Sequence, residues 1–345
     1  MLYVTTRVSQ DAYTAFRALS ENRGPEGGFF VPMQLPCFDD EEIAQLARKP
    51  FSQSVAEVLN LFFATQLDGL DLELSIGKYP VKLVGLNGKI VAAKAWHNPV
   101  YRFERLVSGV EKAIRQSDQI NQTPSDWLMI ATRIAVLFGV FGLLLRDGLL
   151  SKHQQVDVAV PSSDLSPLMA VWYARRMGLP VGNIVCCCND NSGLWNLFHK
   201  GELRTDLVAI CTHTPDCDYT VPTDLERLIF AALGREETAR FCEICRTGGT
   251  YYLDSEQREL LREGIHVSVV SGKRMASTIP NLYKTTDFIA DPYTALAYSG
   301  LADYRAFTGA NRPALIISEE SPYFSLQFVA ACMNITPAEL KKRLE

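Results

Sequence analysis

The chain has 345 residues, 47% of them apolar and 21% charged. That apolar content supports a sizeable core and excludes disordered, collagen-like and coiled-coil classes. The net charge of −5, from 39 acidic against 34 basic residues without a Lys/Arg run, leaves no electrostatic footprint for nucleic acid or an anionic membrane. Met1 to Val4 leads straight into polar sequence, so no signal peptide is expected. A helical pattern over residues 11–21 precedes a glycine-rich turn at 23–28 and a short strand at 29–32, ended by Pro32. Val4, Phe16 and Phe29 read as core positions, and the acidic cluster Asp39-Asp40-Glu41-Glu42 as a helix start favoured by the dipole. Val55, Val58, Leu59 and Phe62 share one face of a helix over 52–64. Apolar alternations at 81–86 and 89–93 flank Asn87-Gly88, a hairpin signal.

From about residue 124 the texture becomes alternating helices and buried strands. Residues 123–126 start an apolar helix over 127–150. Its longest uninterrupted apolar run, 134–145 between Arg133 and Arg146, is too short to cross a bilayer and reads as a buried helix. Strands are expected at 156–160, 184–188, 207–211, 266–270 and 314–317. Helices are expected at 168–177 (stopped at Gly178), 194–199, 225–233, 255–263 and 325–333. This alternation predicts an α/β fold, a three-layer arrangement around a mainly parallel sheet. Nine cysteines, three of them consecutive at Cys186-Cys187-Cys188 within an apolar run, suit buried reduced thiols and a cytoplasmic protein. The lone Cys242-x-x-Cys245 has no zinc-ligand spacing around it, and no metal is expected. Ser162-Ser163-Asp164 lacks a G-x-S-x-G elbow, which argues against hydrolase chemistry.

Several segments together resemble the threonine synthases, pyridoxal-phosphate (PLP) enzymes of fold type II that make threonine from O-phosphohomoserine. Thr6-Arg7 and Gly27-Gly28-Phe29-Phe30-Val31-Pro32 look like the family's T-R-G and D-G-G-L-Y-V-P opening. Val160-Pro161-Ser162, continuing to Ala174-Arg175-Arg176-Met177-Gly178-Leu179-Pro180, is similar to V-P-S/T-G-N-F-G…A-K-x-M-G-L-P. Asn189-Asp190-Asn191, Asp224-Leu225-Glu226-Arg227-Leu228 and Asp291-Pro292-Tyr293-Thr294-Ala295 resemble A-T-N-x-N-D, S-N-F-E-R-L and D-P-H-T-A. Ser318-Glu319-Glu320-Ser321-Pro322 stands where S-T-A-H-P is expected.

The resemblance fails at the positions that carry the chemistry. The family's PLP lysine lies in H-G-P-T-x-x-F-K-D; here the segment starts His97-Asn98-Pro99, and His97, Pro99 and Phe103 set a register that puts Glu104 in the lysine's place; a carboxylate forms no aldimine. The phosphate cup G-N-F-G becomes Ser163-Asp164-Leu165-Ser166, followed by Pro167. Asp164 either repels a phosphate or serves as a cap for the next helix. Only 55 residues separate Glu104 from Val160, too few for the family's mobile small domain, while residues 119–138 resemble the stretch that follows it. Glu319 replaces a threonine, and Ser321 a histidine, near the pyridine position.

The resemblance therefore implies a domain over residues 1–95, a large α/β domain over 96–345 without the inserted small domain, and a degenerate homologue that binds no PLP. The relict cleft is expected around His97, Asn98, Glu104, Ser162, Ser163, Asp164, Ser166, Asn189, Asn191, Ser318 and Glu319. It would serve a partner chain or a small anionic or amino-acid-like ligand. Loss of the small domain uncovers a face of the large one, so a homodimer or larger complex is expected. Two opposing readings are a working PLP lyase using the displaced Lys94, and a structural subunit paired with a genuine threonine synthase.

Overall fold

The structure is a computed structural model and describes residues 1–7, 11–76, 81–96, 102–116 and 124–345. At the N-terminus, β1 (Leu2–Thr5) pairs antiparallel with β2 (Tyr13–Thr14), and after α1 (Ala15–Ser20) also with β3 (Phe30–Pro32). The helix expected over 11–21 thus begins late, where the Thr14 hydroxyl accepts from the Arg17 N–H at 3.3 Å. Ala15, Ala18 and Leu19 form its buried face, so Phe16, expected in the core, is 65% exposed, whereas Phe29 is buried. Three helices follow. α2 (Asp40–Ala47) is capped by Asp39 and Glu42 in a reciprocal capping box; α3 (Phe51–Phe63) and α4 (Gly69–Ile76) complete the layer.

β4 (Lys82–Leu86) and β5 (Ile90–Lys94) form the expected hairpin. After α5 (Phe103–Arg115) and α6 (Asp126–Arg146) come β6 (Val156–Pro161), α7 (Ser166–Arg176), β7 (Val181–Cys188) and α8 (Gly193–Lys200). β8 (Glu202–Arg204), α9 (Leu225–Thr247) and β9 (Thr250–Tyr252) lead to α10 (Ser255–Arg262), β10 (Ile265–Val269), α11 (Gly272–Thr286) and α12 (Pro292–Thr308). The chain closes with β11 (Ala314–Ser318), α13 (Leu326–Cys332) and α14 (Pro337–Leu344). The main sheet has the order β10-β7-β6-β11-β5-β4, parallel except for β4. The hairpin, grouped with the N-terminal region on sequence grounds, therefore extends the large sheet. Between α5 and β6 the described residues contain α6 and no further sheet.

Strands buried on both faces explain the continuous apolar runs. Cys186 and Cys188 pack into the cluster with α6 and α7, and Cys187 into the cluster with α11 and α12. All three are buried and unbridged. The segment 207–211 is not a strand. Side chains claim its backbone: Asn191 bonds both the N–H and the C=O of Ile210, and Thr220 donates to the Leu207 carbonyl.

α6 is 21 residues long, longer than its uninterrupted apolar run, and its composition would suit a bilayer span. Sixteen of its residues are instead buried against the protein. It lies between α7 on one side and α2 and α3 on the other, and Gly142 lets α2 approach: a Cβ there would come within 3.2 Å of the Ala47 Cα. The same end of α7 is fastened at Gly178, where φ is +108° and a Cβ would meet the Phe38 carbonyl at 2.1 Å. The helix expected over 225–233 runs on to Thr247 after an interruption at Gly234, with φ +86°.

Three of the motif segments meet in one buried latch. Glu226 on α9 accepts from the Thr6 hydroxyl at 2.5 Å and from Arg7 at 3.0 and 3.2 Å. Thr6 in turn accepts from the Phe29 N–H at 2.8 Å. Arg227, fully buried, pairs with Asp224, bonds the Phe30 carbonyl at 3.2 Å and stacks on Phe29. Burial pushes the Asp224 carboxyl up to about 7 against the pull of Arg227. This latch ties the N-terminal layer to α9.

Candidate functional site

A cleft of about 310 Å³ opens at the carboxyl ends of β6 and β11, where open α/β sheets place their ligand sites. Its floor is apolar: Met129, Val136, Val160, Val171 and Ile317. Its walls carry five carboxylates, Glu104, Asp164, Asp216, Glu319 and Glu320, against Arg102 and Arg133.

Arg133 organises the interior. It leaves α6 and grips Glu319 with two guanidinium nitrogens, Nε to Oε1 at 2.9 Å and Nη2 to Oε2 at 2.8 Å. Its Nη1 donates to the Ser166 hydroxyl at 2.9 Å, which in turn donates to Asp164. Burial opposes the charge on Arg133, but Glu319, Asp164 and Glu104 outweigh it and hold the guanidinium above its ordinary range. With side-chain exposures of 14% and 23%, Arg133 and Glu319 form a sheltered pair in the cleft wall.

The turn after β6 takes left-handed backbone without glycines. Ser163 and Leu165 have φ of +34° and +70°, the region non-glycine residues avoid. Asp164 accepts the Ser166 N–H at 2.9 Å, a donor at the start of α7. The carboxylate thus fills, from within the chain, the place of an outside anion at this helix start. The expected capping role of Asp164 is what the geometry shows, one residue outside the regular cap. Ser163 turns its N–H to the Cys217 sulfur at 3.2 Å.

Glu104 stands exposed in the first turn of α5. It has no ion pair with Arg102, which stacks on Phe324 with its guanidinium carbon 4.0 Å from the ring centre. Glu320 has no hydrogen bond or ion pair among the described residues. Burial first, then Asp291, Asp216 and Glu104, push its carboxyl up to about 8 despite Arg102. Asp216, in a short 3₁₀ turn at Pro215–Cys217, accepts from the Tyr293 hydroxyl at 3.0 Å.

Of the residues expected at the cleft, Glu104, Ser163, Asp164 and Glu319 line it, and Ser166 bonds its central arginine. His97 and Asn98 lie outside the described residues. Ser162 is buried behind the turn, its N–H donating to the Cys187 carbonyl at 2.8 Å. Ser318 is also buried, accepting from Trp96 at 3.3 Å and from Thr294 at 3.0 Å. Asn189 and Asn191 are absent from the walls because Asp218 and the hydroxyls of Thr212 and Thr214 consume them. Arg133, Asp216, Tyr293 and Glu320 are members that the sequence reading missed. Only Arg133 carried a signal, as the lone charge within an apolar helix. Cys242 and Cys245 lie on α9 as half-buried thiols, pushed up to about 12 and 11 chiefly by burial.

These residues do not fit PLP. No lysine is among the described lining residues, an aspartate fills the phosphate end, and an arginine–glutamate pair crosses the middle. Lys94 ends β5 with its ammonium 3.6 Å from the centre of the Trp96 ring. Burial and Lys82 lower its pKa, but it is not in the cleft wall.

Residues 2–78 match the family described as threonine synthase N terminus. The threonine synthase of Corynebacterium glutamicum is 29% identical over 154 residues, 42% of this chain and 32% of that protein. The human protein threonine synthase-like 1 is 26% identical over 214 residues, 56% of this chain and 29% of that one. The matched stretches therefore span about a third of the curated relatives' length. A solved structure of PLP-bound threonine synthase from Brucella melitensis superposes with a TM-score of 0.84 at 17% identity, covering 100% of this chain and 94% of that one. The two chains share one fold. The chain is similar to threonine synthases in its N-terminal segment and in its fold.

Proposed function

We propose that this is a non-catalytic threonine synthase-like protein whose cleft serves as a binding site and carries no PLP chemistry. The observation that supports this most is the continuous chain Glu319–Arg133–Ser166–Asp164 across the cleft. It pairs Arg133 with Glu319 and commits Asp164 from within the protein, so a bound PLP would have to break a sheltered ion pair and displace a resident carboxylate. Glu104 at the position aligned with the lysine adds to this, since a carboxylate cannot hold the cofactor covalently. The competing reading, a lyase using Lys94, draws on that lysine's lowered pKa, a condition for aldimine formation.

An absorbance titration of the full chain with PLP, followed by borohydride reduction and peptide mapping, separates the two. The expected outcome is no stoichiometric aldimine band and no labelled lysine. A saturating band with reduced label on Lys94 would establish the lyase reading.

A further inference from the structure

The walls and floor of the cleft define the chemistry of its ligand, granting the reading above that it is a binding pocket without PLP. Two of its five carboxylates are already committed: Glu319 to Arg133, and Asp164 to the start of α7. Arg102 is turned onto Phe324. Among the described residues, three carboxylates are left without an ion pair. Glu104 lies at the start of α5, Asp216 bonds only with Tyr293, and Glu320 follows β11 with no partner among the described residues. They converge on one cavity of about 310 Å³ whose floor, Met129, Val136 and Val171, offers only apolar surface.

An anion entering this space would meet Glu104 and Asp216, joined by the ionised Glu320 above about pH 8, and find Arg133 already paired with Glu319. A small cation would relieve that repulsion. Its hydrocarbon part has an apolar floor to lie on, and burying methylenes there favours binding. We propose that the cleft takes a small aliphatic amine cation, of the linear diamine class, with an ammonium among Glu104, Asp216 and Glu320 and the methylene stem on the Met129–Val136–Val171 floor. This replaces the small anionic ligand expected from the resemblance by one of opposite charge.

Isothermal titration calorimetry on the full chain at pH 8.5 tests it with three probes of equal length: 1,5-diaminopentane, 1,5-pentanediol and glutarate. The expected result is saturable one-to-one binding of the diamine, with the diol and glutarate at least about tenfold weaker. Glu320→Gln and Asp216→Asn, each checked for an intact thermal transition, are expected to weaken the diamine about tenfold or more, whereas Asp206→Asn, on an exposed loop outside the cleft, leaves it unchanged. Tighter binding of glutarate than of the diamine overturns the cation assignment and keeps the ligand-pocket reading. Diamine affinity unaltered in both cleft variants, or no saturable heat with any probe, also overturns it. Stoichiometric PLP uptake, measured in the separate absorbance titration, would instead remove the reading beneath it.

Discussion

Arg133 points from the middle of an apolar helix into the cleft, so its charge has to be met there. Leaving either half of a sheltered ion pair alone costs more than removing both, because the survivor keeps its desolvation penalty. Glu319→Gln is therefore expected to destabilise the protein by about 2–4 kcal/mol. The double replacement Arg133→Met with Glu319→Leu should cost less than that single change, as read by urea denaturation in a double-mutant cycle. Additive losses would mean that the pair contributes nothing as a pair. Glu320 gives the residue scale its pH dependence. It faces Asp291 and Tyr293 at the start of α12, Asp216, and Arg102 and Glu104 at the start of α5, with Glu319 next to it in the chain and Arg133 in the same cleft wall. Its carboxyl is raised to about 8 in the folded chain, so the folded state holds a proton that the unfolded state has lost. Stability from this group is present at low pH and declines as pH rises toward 8. Glu320→Gln should accordingly match the wild type in melting temperature near pH 5 and exceed it increasingly up to pH 8.5. A gap that shrinks with pH would contradict the assignment.

At the scale of elements, α6 decides how the N-terminal layer meets the large domain. Gly142 brings α2 to within van der Waals contact of the helix backbone, so a larger side chain there has to push the helices apart. Gly142→Leu is expected to lower stability by about 1–3 kcal/mol through overpacking, although leucine is the better helix former by nearly 1 kcal/mol. Differential scanning calorimetry showing a raised midpoint would mean that the α2–α6 approach is loose. Elements with one decisive local signal were legible in the sequence: the Asn87-Gly88 hairpin, the β-branched strand at 156–160, the apolar helix, and the acidic start of α2. Those decided by tertiary partners were not. The apolar run 207–211 reads as a strand, yet Asn191, Asp218 and Thr220 take the hydrogen bonds of that stretch. α11 and α12 have mixed polar surfaces, and their starts rest on single caps, Ser271 and Asp291. At the cleft, the sequence marked the residues that a resemblance aligns, Glu104, Asp164 and Glu319. It could not show that Arg133, thirty-three positions before Ser166, connects two of them, nor that Asn189 and Asn191 are spent on a neighbouring loop.

For the whole molecule, the fold matches that of a PLP-bound threonine synthase, while the chain Glu319–Arg133–Ser166–Asp164 crosses the cleft. The latch of Thr6, Arg7, Glu226 and Arg227 and the buried sheet persist as scaffold. The turn after β6 has positive φ at Ser163 and Leu165, and Asp164 takes the donor at the start of α7. If that account holds, restoring the covalent anchor alone restores nothing. Charge-assisted hydrogen bonds to a phosphate contribute about 1.5–3 kcal/mol each, and here the donor at the start of α7 is already taken. The substitution Glu104→Lys lies at an exposed position in the first turn of α5, where losing an acidic residue costs only about 0.3–1 kcal/mol, so the variant is expected to fold. The most direct measurement is PLP titration of Glu104→Lys followed by absorbance and by assay of threonine formation from O-phosphohomoserine. The prediction is a folded protein with no stoichiometric aldimine band and no threonine; tight, saturating PLP binding by this single variant would show that the phosphate site survives and would contradict the account.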